Sequence, residues 1–248
     1  MREKIIKLIK EGISIPKISK ELKVSKSTIY YHYKKIKGKK LIPIKIPKND
    51  RIIGEFLGIF AGDGNYYYET ERGHYTIRIF FHIKDDKEYS EYVKELIEKN
   101  FNKKVIIYET KKQNLLTIKF YSKEISEFIK DYLEIYPKKT SNVKIKKSLN
   151  KLSKDFLKYF VRGIMDTDGH HKKDGRITIS LISKKMVEQI SHILKKFDIE
   201  NKVYLINKKP PEKIQYTLLI PKREEERYLK IIGYSNKRKM YAPAEGRI

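Results

Sequence analysis

An internal repeat constrains the fold of this chain more than any other feature of its sequence. The two copies are EFLGIFAGDGN, at residues 55–65, and FVRGIMDTDGH, at residues 160–170. Asp63 of the first copy matches Asp168 of the second, and the glycines around them match at the same offset of 105. A repeat period of 105 residues is too long for a solenoid. The sequence therefore predicts two copies of one small α+β domain.

The segments that follow each copy also resemble one another. Amphipathic stretches at 87–99 and 184–197 predict one helix in the middle of each half, and short alternating runs on either side predict strands. Each half therefore reads helix–strand–strand–helix–strand–strand–helix. We expect antiparallel sheets with helices on one face only.

The predicted strands leave polar side chains on the face away from the helices. In 74–82, for example, Arg78 alternates with Ile77 and Ile79. Any one-sided antiparallel sheet alternates in this way, but in both halves of a basic chain the pattern favours contacts with base edges and phosphates. The candidate DNA contacts on these faces are Arg78, His82, Lys119, Arg176, Thr178, Ser180, Lys213 and Gln215.

A stripe of small residues marks the two repeat helices. Gly54, Gly58 and Gly62 are spaced by four and share one helix face, and the second copy offers Gly163 and Thr167. Each glycine inside a helix costs about 1 kcal/mol relative to alanine, so the stripe needs a compensating role. Close approach of two backbones supplies one. We expect the two helices to pack against each other and to end at Asp-Gly.

Two carboxylates then converge at neighbouring helix C-termini, each of which already carries about half a negative charge. Such a pair needs a cation, and Mg²⁺, or Mn²⁺ in its place, suits hard oxygen ligands beside a phosphate. The predicted ligands are Asp63 and Asp168 with the adjoining Gly62 and Thr167. A single Asp-Gly, such as Asp174-Gly175, is better interpreted as an ordinary turn.

The charge of the chain favours a polyphosphate partner. The net charge is +26, and residues 1–48 hold 15 Lys and Arg against 3 Glu. A lysine-rich proteome or an anionic membrane surface are the alternatives. The absence of cysteine excludes disulfides, zinc–thiolate sites and cysteine nucleophiles. No apolar run or leader pattern is present, so we expect no membrane contact and a cytoplasmic, nucleoid-associated location.

The N-terminal segment, 1–38, predicts three short helices with a tight turn before the third. This order is typical of a helix-turn-helix, whose third helix reads the major groove. The candidate base contacts are Lys26, Ser27, Thr28, Tyr31 and His32. A small helical bundle that binds protein is the alternative. Residues 39–49 form a basic linker, and the repeat domains occupy 50–148 and 149–248, the second ending in a basic tail.

The segments FLGIFAGDG and VRGIMDTDG resemble the paired motifs of single-chain LAGLIDADG homing endonucleases. The resemblance implies two pseudo-symmetric αββαββα domains whose sheets form a saddle over double-stranded DNA, with the acidic eighth motif residues, Asp63 and Asp168, binding the catalytic metal. The sixth motif position, often acidic in the family, is Asp166 in the second copy but Ala61 in the first, and Ala61 departs from the family pattern. The family also places a basic residue after the last strand of a domain, which implies catalytic roles for Lys123 and Lys222; solvated lysine is the alternative.

These features predict a monomeric, metal-dependent DNA endonuclease that cuts both strands of a specific site, as in intron homing. Two alternatives stay open: a DNA-binding transcription regulator that does not cut, and an intron RNA maturase. The chain termini lack the nucleophile and the final Asn of protein splicing, which disfavours an intein.

Overall fold

A computed structural model of the protein describes residues 1–38, 43–71, 73–135, 139–206 and 214–240. The chain divides into two compact units, Met1–Pro43 and Ile44–Ile248. None of the helices in the described ranges is both long and apolar enough to span a bilayer.

The N-terminal unit contains the three predicted helices: α1 (Arg2–Lys10), α2 (Ile15–Leu22) and α3 (Lys26–Lys37). Its core is small and consists of Ile5, Ile9, Ile18 and Ile29. The turn between α2 and α3 holds Lys23 in the left-handed conformation, with φ 53°. The Oγ of Ser25 then caps α3 by accepting a hydrogen bond from the Thr28 N–H at 3.2 Å.

The larger unit contains both repeats in the predicted order. The first repeat comprises α4 (Asp50–Asp63), β1 (Gly64–Glu69), β2 (His74–His82), α5 (Lys87–Phe101), β3 (Ile106–Thr110), β4 (Leu115–Tyr121) and α6 (Lys123–Tyr132). A connection that the sequence did not predict follows: β5 (Leu133–Glu134), α7 (Lys139–Asn142) and β6 (Lys144–Ile145). The second repeat comprises α8 (Lys154–Asp168), β7 (Gly169–His171), β8 (Ile177–Leu181), α9 (Lys184–Lys196), β9 (Lys202–Ile206), β10 (Gln215–Ile220), α10 (Glu225–Ile231) and α11 (Lys237–Met240).

The two sheets have the same topology. The strand orders are β1-β2-β4-β3 and β7-β8-β10-β9, with antiparallel pairing throughout. Gly64 pairs with Ile79 in the first sheet, and Gly169 pairs with Ile179 in the second. The two repeats therefore correspond strand by strand in order and register, which confirms the predicted fold class.

One hydrophobic core joins the two repeats. It contains the apolar faces of both sheets and the helices that cover them, and it includes Phe56, Phe60, Phe156 and Phe160 from α4 and α8. Ile44 also packs against this core, and Lys45 donates its N–H to the Phe101 carbonyl. The later part of the predicted linker 39–49 is thus attached to the larger unit, while residues 39–42 lie outside the described ranges.

The C-terminal region differs in part from the expected loose basic tail. Residues 236–240 are ordered: Asn236 is buried, and α11 packs beside β7. This order has a functional consequence because α11 carries Lys239. Residues 241–248 lie outside the described ranges.

Candidate active site

The contact between α4 and α8 is made by backbone against backbone, as the glycine stripe predicts. A Cβ added to Gly58 would lie 2.2 Å from the Phe160 carbonyl oxygen, and one added to Gly54 would lie 2.3 Å from the Phe156 carbonyl oxygen. On the partner helix, a Cβ at Gly163 would lie 2.4 Å from the Glu55 carbonyl oxygen. These distances are shorter than any real contact. Glycine is therefore what allows the two helices to touch.

The two helices end side by side. A Cβ at Gly62 would meet the Thr167 Oγ1 at 2.0 Å and an Asp168 carboxylate oxygen at 3.0 Å. The terminal glycines do not adopt the left-handed conformation expected after a helix: Gly64 has φ −76° and ψ 149°, and Gly169 is similarly extended. Glycine is required there because a Cβ would lie 2.4 Å from the carbonyl oxygen of Phe60 or Met165. In each repeat the chain thus passes directly from the motif helix into a strand, and the Asp carboxylate lies at this junction.

Asp63 and Asp168 interact electrostatically across this junction. Burial, together with the negative charge of Asp168, raises the pKa of Asp63 from 3.8 to about 7 against the opposing effect of Lys139. The pKa of Asp168 is raised as well by the protein atoms around it, although its side chain has an open, solvent-facing side. Two acids whose charged forms are both disfavoured form a site that a cation would stabilise.

Two lysines that were not predicted as site residues lie at the helix ends. The Lys139 Nζ donates to the carbonyls of Phe60, Gly62 and Gly64 at the end of α4. The Lys239 Nζ donates to the carbonyls of Thr167 and Gly169 at the end of α8. Each ammonium therefore sits on the negative end of one motif helix.

The charge state of these lysines is also perturbed. Burial lowers the pKa of Lys139 from 10.5 to about 8, while Asp168 and Asp63 act in the opposite direction. Burial lowers the pKa of Lys239, and the neighbouring Arg238 lowers it further. With a pKa of about 8, Lys139 is mostly a cation at neutral pH and is close to the range in which it could exchange a proton.

The donor set fits a hard divalent ion. It consists of two carboxylates at abutting helix ends with carbonyl oxygens beside them, all oxygen ligands. No cluster of three or more His, Asp or Glu suited to a metal occurs in the described ranges. The remaining ligands would then be waters and phosphate oxygens, as is usual for Mg²⁺. Gly62 and Thr167, predicted as further ligands, direct their carbonyls to Lys139 and Lys239.

The lysines predicted to be catalytic lie elsewhere in the fold. The Lys123 Nζ lies 3.6 Å from a Glu127 carboxylate oxygen on the exposed surface of α6. Lys222 lies beside the turn at Gly175, where its Cγ is 3.0 Å from the position of an added Cβ. The geometry gives the place beside the aspartates to Lys139 and Lys239, and the roles of Lys123 and Lys222 stay predictions without support from these contacts.

Strand register places most of the predicted DNA contacts on the open sheet faces. Arg78 pairs with Lys119 across β2 and β4, and the same positions in the second sheet hold Thr178 and Leu219. The Ser180 Oγ lies 2.6 Å from the Thr217 Oγ1. Gln215 begins β10 on this face. This central pair of positions thus holds two cations in the first sheet and none in the second, where Lys202 of β9 lies opposite Leu219.

Two of the predicted contacts, His82 and Arg176, have other surroundings. His82 ends β2, where its Nδ1 lies 3.1 Å from an Asp85 carboxylate oxygen. Arg176 precedes β8 and pairs with Asp174 in a turn, and this guanidinium lowers the pKa of Asp174 to about 2. The Asp174-Gly175 pair is therefore the turn that the sequence predicted, with Gly175 at φ +85°. Lys213 lies outside the described ranges.

The helix-turn-helix candidates share one exposed surface at the start of α3. Ile29 is buried beneath this surface, and Tyr31 is 51% exposed. The exposed or partly exposed residues here are Lys26, Ser27, Thr28, Tyr31 and His32. Their placement agrees with a recognition helix.

Comparison with known proteins agrees with this architecture. Residues 155–233 match the LAGLIDADG-like domain family, and residues 2–34 match the helix-turn-helix domain of resolvase. The chain is similar to the replication factor C small subunit of Methanocaldococcus jannaschii, with 32% identity over 76% of this chain, but it spans only 10% of that protein's length.

Two solved structures show the same fold. A complex of I-DmoI with DNA and Mn has a TM-score of 0.57 and 19% identity, covering 74% of this chain and 97% of that one. The homing endonuclease I-WcaI bound to its DNA recognition sequence has a TM-score of 0.53 and 16% identity, covering 86% of this chain and 92% of that one. The resemblance seen in the motifs is thereby confirmed: residues 155–233 belong to the LAGLIDADG-like domain family, the larger unit shares the fold of these two homing endonucleases, and a helix-turn-helix segment precedes it.

Proposed function

We propose that this protein is a site-specific double-stranded DNA endonuclease that requires a divalent metal ion and acts as a monomer. The observation that carries the proposal is the junction of α4 and α8, where two acids with disfavoured charges meet beside two lysines. A protein that only binds DNA gains nothing from acids at such a place, because they repel phosphate.

Asp63 and Asp168 would hold Mg²⁺ or Mn²⁺ through their carboxylate oxygens. The ion supplies Lewis-acid activation and a water of lowered pKa for phosphodiester hydrolysis. The binding of Mn by a structural neighbour in its DNA complex is consistent with this use of the site.

Lys139 and Lys239 would act on the phosphates that are cut. An ammonium donor beside a reacting phosphate stabilises the charge that develops on its oxygens, and loss of one such donor typically costs about 10²- to 10³-fold in rate. Because the two lysines occupy equivalent ends of the two motif helices, we assign one of them to each strand.

The open sheet faces would bind the duplex on both sides of this junction. Arg78 and Lys119 are suited to guanine O6 and N7, whereas Thr178 and Ser180 suit either base type. The net charge of +26 supports phosphate contacts along the rest of the surface.

The experiment that tests the function is an unbiased cleavage screen. Purified protein is incubated with fragmented genomic DNA of its source and Mg²⁺ or Mn²⁺, and the new ends are mapped by sequencing. We expect recurrent cuts at one sequence, which disappear for Asp63→Asn and Asp168→Asn while DNA binding persists. Asp174→Asn, in an exposed turn, is the matched control and should still cut.

A non-cutting transcription regulator is the second candidate, because the helix-turn-helix match at residues 2–34 is a module that regulators use. Tight binding to a recurrent sequence without cuts in either metal would favour it and overturn the nuclease proposal. Selective binding of an intron RNA in place of that DNA would favour a maturase.

A further inference from the structure

The two motifs differ at the third residue before the terminal glycine, and this difference lies beside the proposed site. The first motif has Ala61 and the second has Asp166, at the same offset of 105. Both side chains are buried, Ala61 at 4% and Asp166 at 1% exposure. A buried carboxylate is retained only when hydrogen bonds compensate its desolvation, so the partners of Asp166 indicate what it does.

Those partners are the backbone of two consecutive residues after α10. The Asp166 carboxylate accepts the Ser235 N–H, with both oxygens at 3.1 Å, and the Asn236 N–H at 3.1 Å. The Asn236 Nδ2 donates to the Asp166 carbonyl at 3.2 Å and to the Asp86 carboxylate at 3.1 Å. We call this arrangement, Asp166 with Ser235 and Asn236, the α8 clasp.

The clasp is also tied to the first motif helix. The Ser235 Oγ donates to the Glu55 carboxylate at 2.5 Å, and the Tyr92 hydroxyl donates to the same oxygen at 2.8 Å. Ser235 therefore connects α4 with α8, and these contacts restrain Ser235 and Asn236 against movement along either helix.

From the clasp the chain leads directly to Lys239. The Asn236 side chain accepts the Arg238 N–H at 3.2 Å, and its carbonyl accepts the Lys239 N–H at 2.9 Å. The Lys239 Nζ then returns to α8, where it donates to the Thr167 carbonyl at 3.1 Å and to that of Gly169. The segment 235–239 is thus bound to the end of α8 at both of its own ends, through Asp166 and through the Lys239 ammonium.

The first motif lacks this device. Ala61 offers no acceptor side chain, and Lys139 is held instead through α7. The Val143 N–H donates to the Lys139 carbonyl at 2.8 Å, and the Ser183 Oγ donates to the Val143 carbonyl at 2.6 Å. The two lysines are therefore equivalent in position but are supported by unrelated contacts.

We propose that Asp166 is a positioning residue for Lys239, so that the α8 clasp governs the cutting of one DNA strand and leaves the other strand to Lys139. This inference rests on the proposed endonuclease function. It assigns the departure at the sixth motif position to strand-specific control of the reaction.

The test is cleavage of a cognate duplex labelled differently on each strand, under single-turnover conditions. Asp166→Asn keeps the size of the side chain but places an amide group against backbone N–H donors. We expect it to slow the cleavage of one strand about 10- to 100-fold and that of the other strand less than about threefold. A slowing of this size is the usual effect of misplacing a supporting group. Lys239→Met should slow the same strand, and Lys139→Met the opposite one. Equal slowing of both strands by Asp166→Asn, or slowing of the Lys139 strand, would overturn the proposal.

A second measurement needs no cleavage. Reductive methylation followed by mass spectrometry reports how accessible each lysine amine is. In Asp166→Asn we expect Lys239 to be modified about tenfold faster than in the wild type, because its ammonium no longer rests on the carbonyls of α8, while Lys139 is unchanged. An unchanged Lys239 would refute the clasp. If the folded wild-type protein cuts no DNA, the endonuclease function fails, but the methylation result still decides whether Asp166 holds Lys239.

Should Asp166→Asn not fold, Asn236→Ala takes its place in both assays, since it removes the side-chain bonds of the clasp and keeps the backbone. Asp174→Asn is the control for both and should match the wild type.

Discussion

Replacing Asp63 by Asn measures the electrostatic cost of the converging acids without any need for DNA. In the folded chain the pKa of Asp63 is about 7, compared with 3.8 for the ordinary group, because burial and the charge of Asp168 both disfavour its ionised form. A raised pKa means that the protonated form favours folding. The stability that Asp63 contributes is therefore present below about pH 4 and is lost as the pH rises to about 7.

The size of the effect follows from that change in acidity. Each tenfold change in acidity corresponds to about 1.4 kcal/mol, so the full change sets an upper bound of about 4 kcal/mol. Because water reaches the open side of the acidic pair, we expect about 1 to 2 kcal/mol in practice. Asp63→Asn removes this cost. At pH 8 in EDTA the variant should melt about 2–8 °C above the wild type, and at pH 5 the difference should be much smaller.

Thermal unfolding followed by circular dichroism or calorimetry provides the assay, repeated after addition of Mg²⁺. The ion should raise the melting temperature of the wild type more than that of Asp63→Asn, because a ligand stabilises only the state that binds it. Asp174→Asn is the control, because Arg176 lowers the pKa of Asp174 to about 2, a shift opposite in sign to that of Asp63. Removing the Asp174 carboxylate should therefore not raise the melting temperature at pH 8. A variant that melts at or below the wild-type temperature at pH 8 would refute the convergence of the two acids.

Three further expectations follow from the geometry. In denaturant titrations, Gly58→Ala should lower the free energy of unfolding by about 2–4 kcal/mol, because its Cβ would lie 2.2 Å from the Phe160 carbonyl oxygen. The control is Gly73→Ala, where φ is +63° and no atom lies within 4 Å of the added Cβ. It should lower the free energy of unfolding by about 1 kcal/mol. DNA affinity should fall steeply between low and moderate salt, and a flat dependence in a fluorescence titration would contradict the phosphate contacts. Arg78→Ala should relax base preference at one position of one half-site by about 1–3 kcal/mol, whereas Thr178→Ala should change its own position less, as binding to a randomised site library would show.

The helix pair was predictable because its signal is local. Glycines four residues apart and an Asp-Gly at the end of each copy specify a close helix contact and its terminus within one short segment. The αββαββα order was predictable for the same reason, because the periodicity of alternating strands and amphipathic helices is visible within a short window of residues. The reason for the terminal glycines is not visible in the sequence, because it is the close approach of Gly64 and Gly169 to the carbonyl oxygens of Phe60 and Met165.

The lysines of the site were not predictable in this way. Lys139 and Lys239 bond to carbonyls 77 and 70 residues earlier in the chain, at Gly62 and Gly169. Among 57 lysines and arginines no local pattern distinguishes them. The one available signal is their position relative to the repeat. Lys139 lies seven residues after the end of α6, and Lys239 lies eight residues after the end of α10. Residues chosen instead by closeness to a predicted strand, Lys123 and Lys222, lie on the outside of the fold.

The arrangement at the junction also explains why the lysines approach the helix ends through carbonyls. Two acids and two helix C-termini place a dense negative charge in one small volume, and glycine contacts prevent the helices from moving apart to relieve it. The ammonium groups of Lys139 and Lys239 offset this charge at the expense of their own hydration, which is why the pKa of each is lowered. A divalent ion would take over the neutralisation of the acids, and the lysines would then be the cations left to meet the phosphates. The same lysines therefore stabilise the junction of the two helices and, under the proposed function, would contact the phosphates.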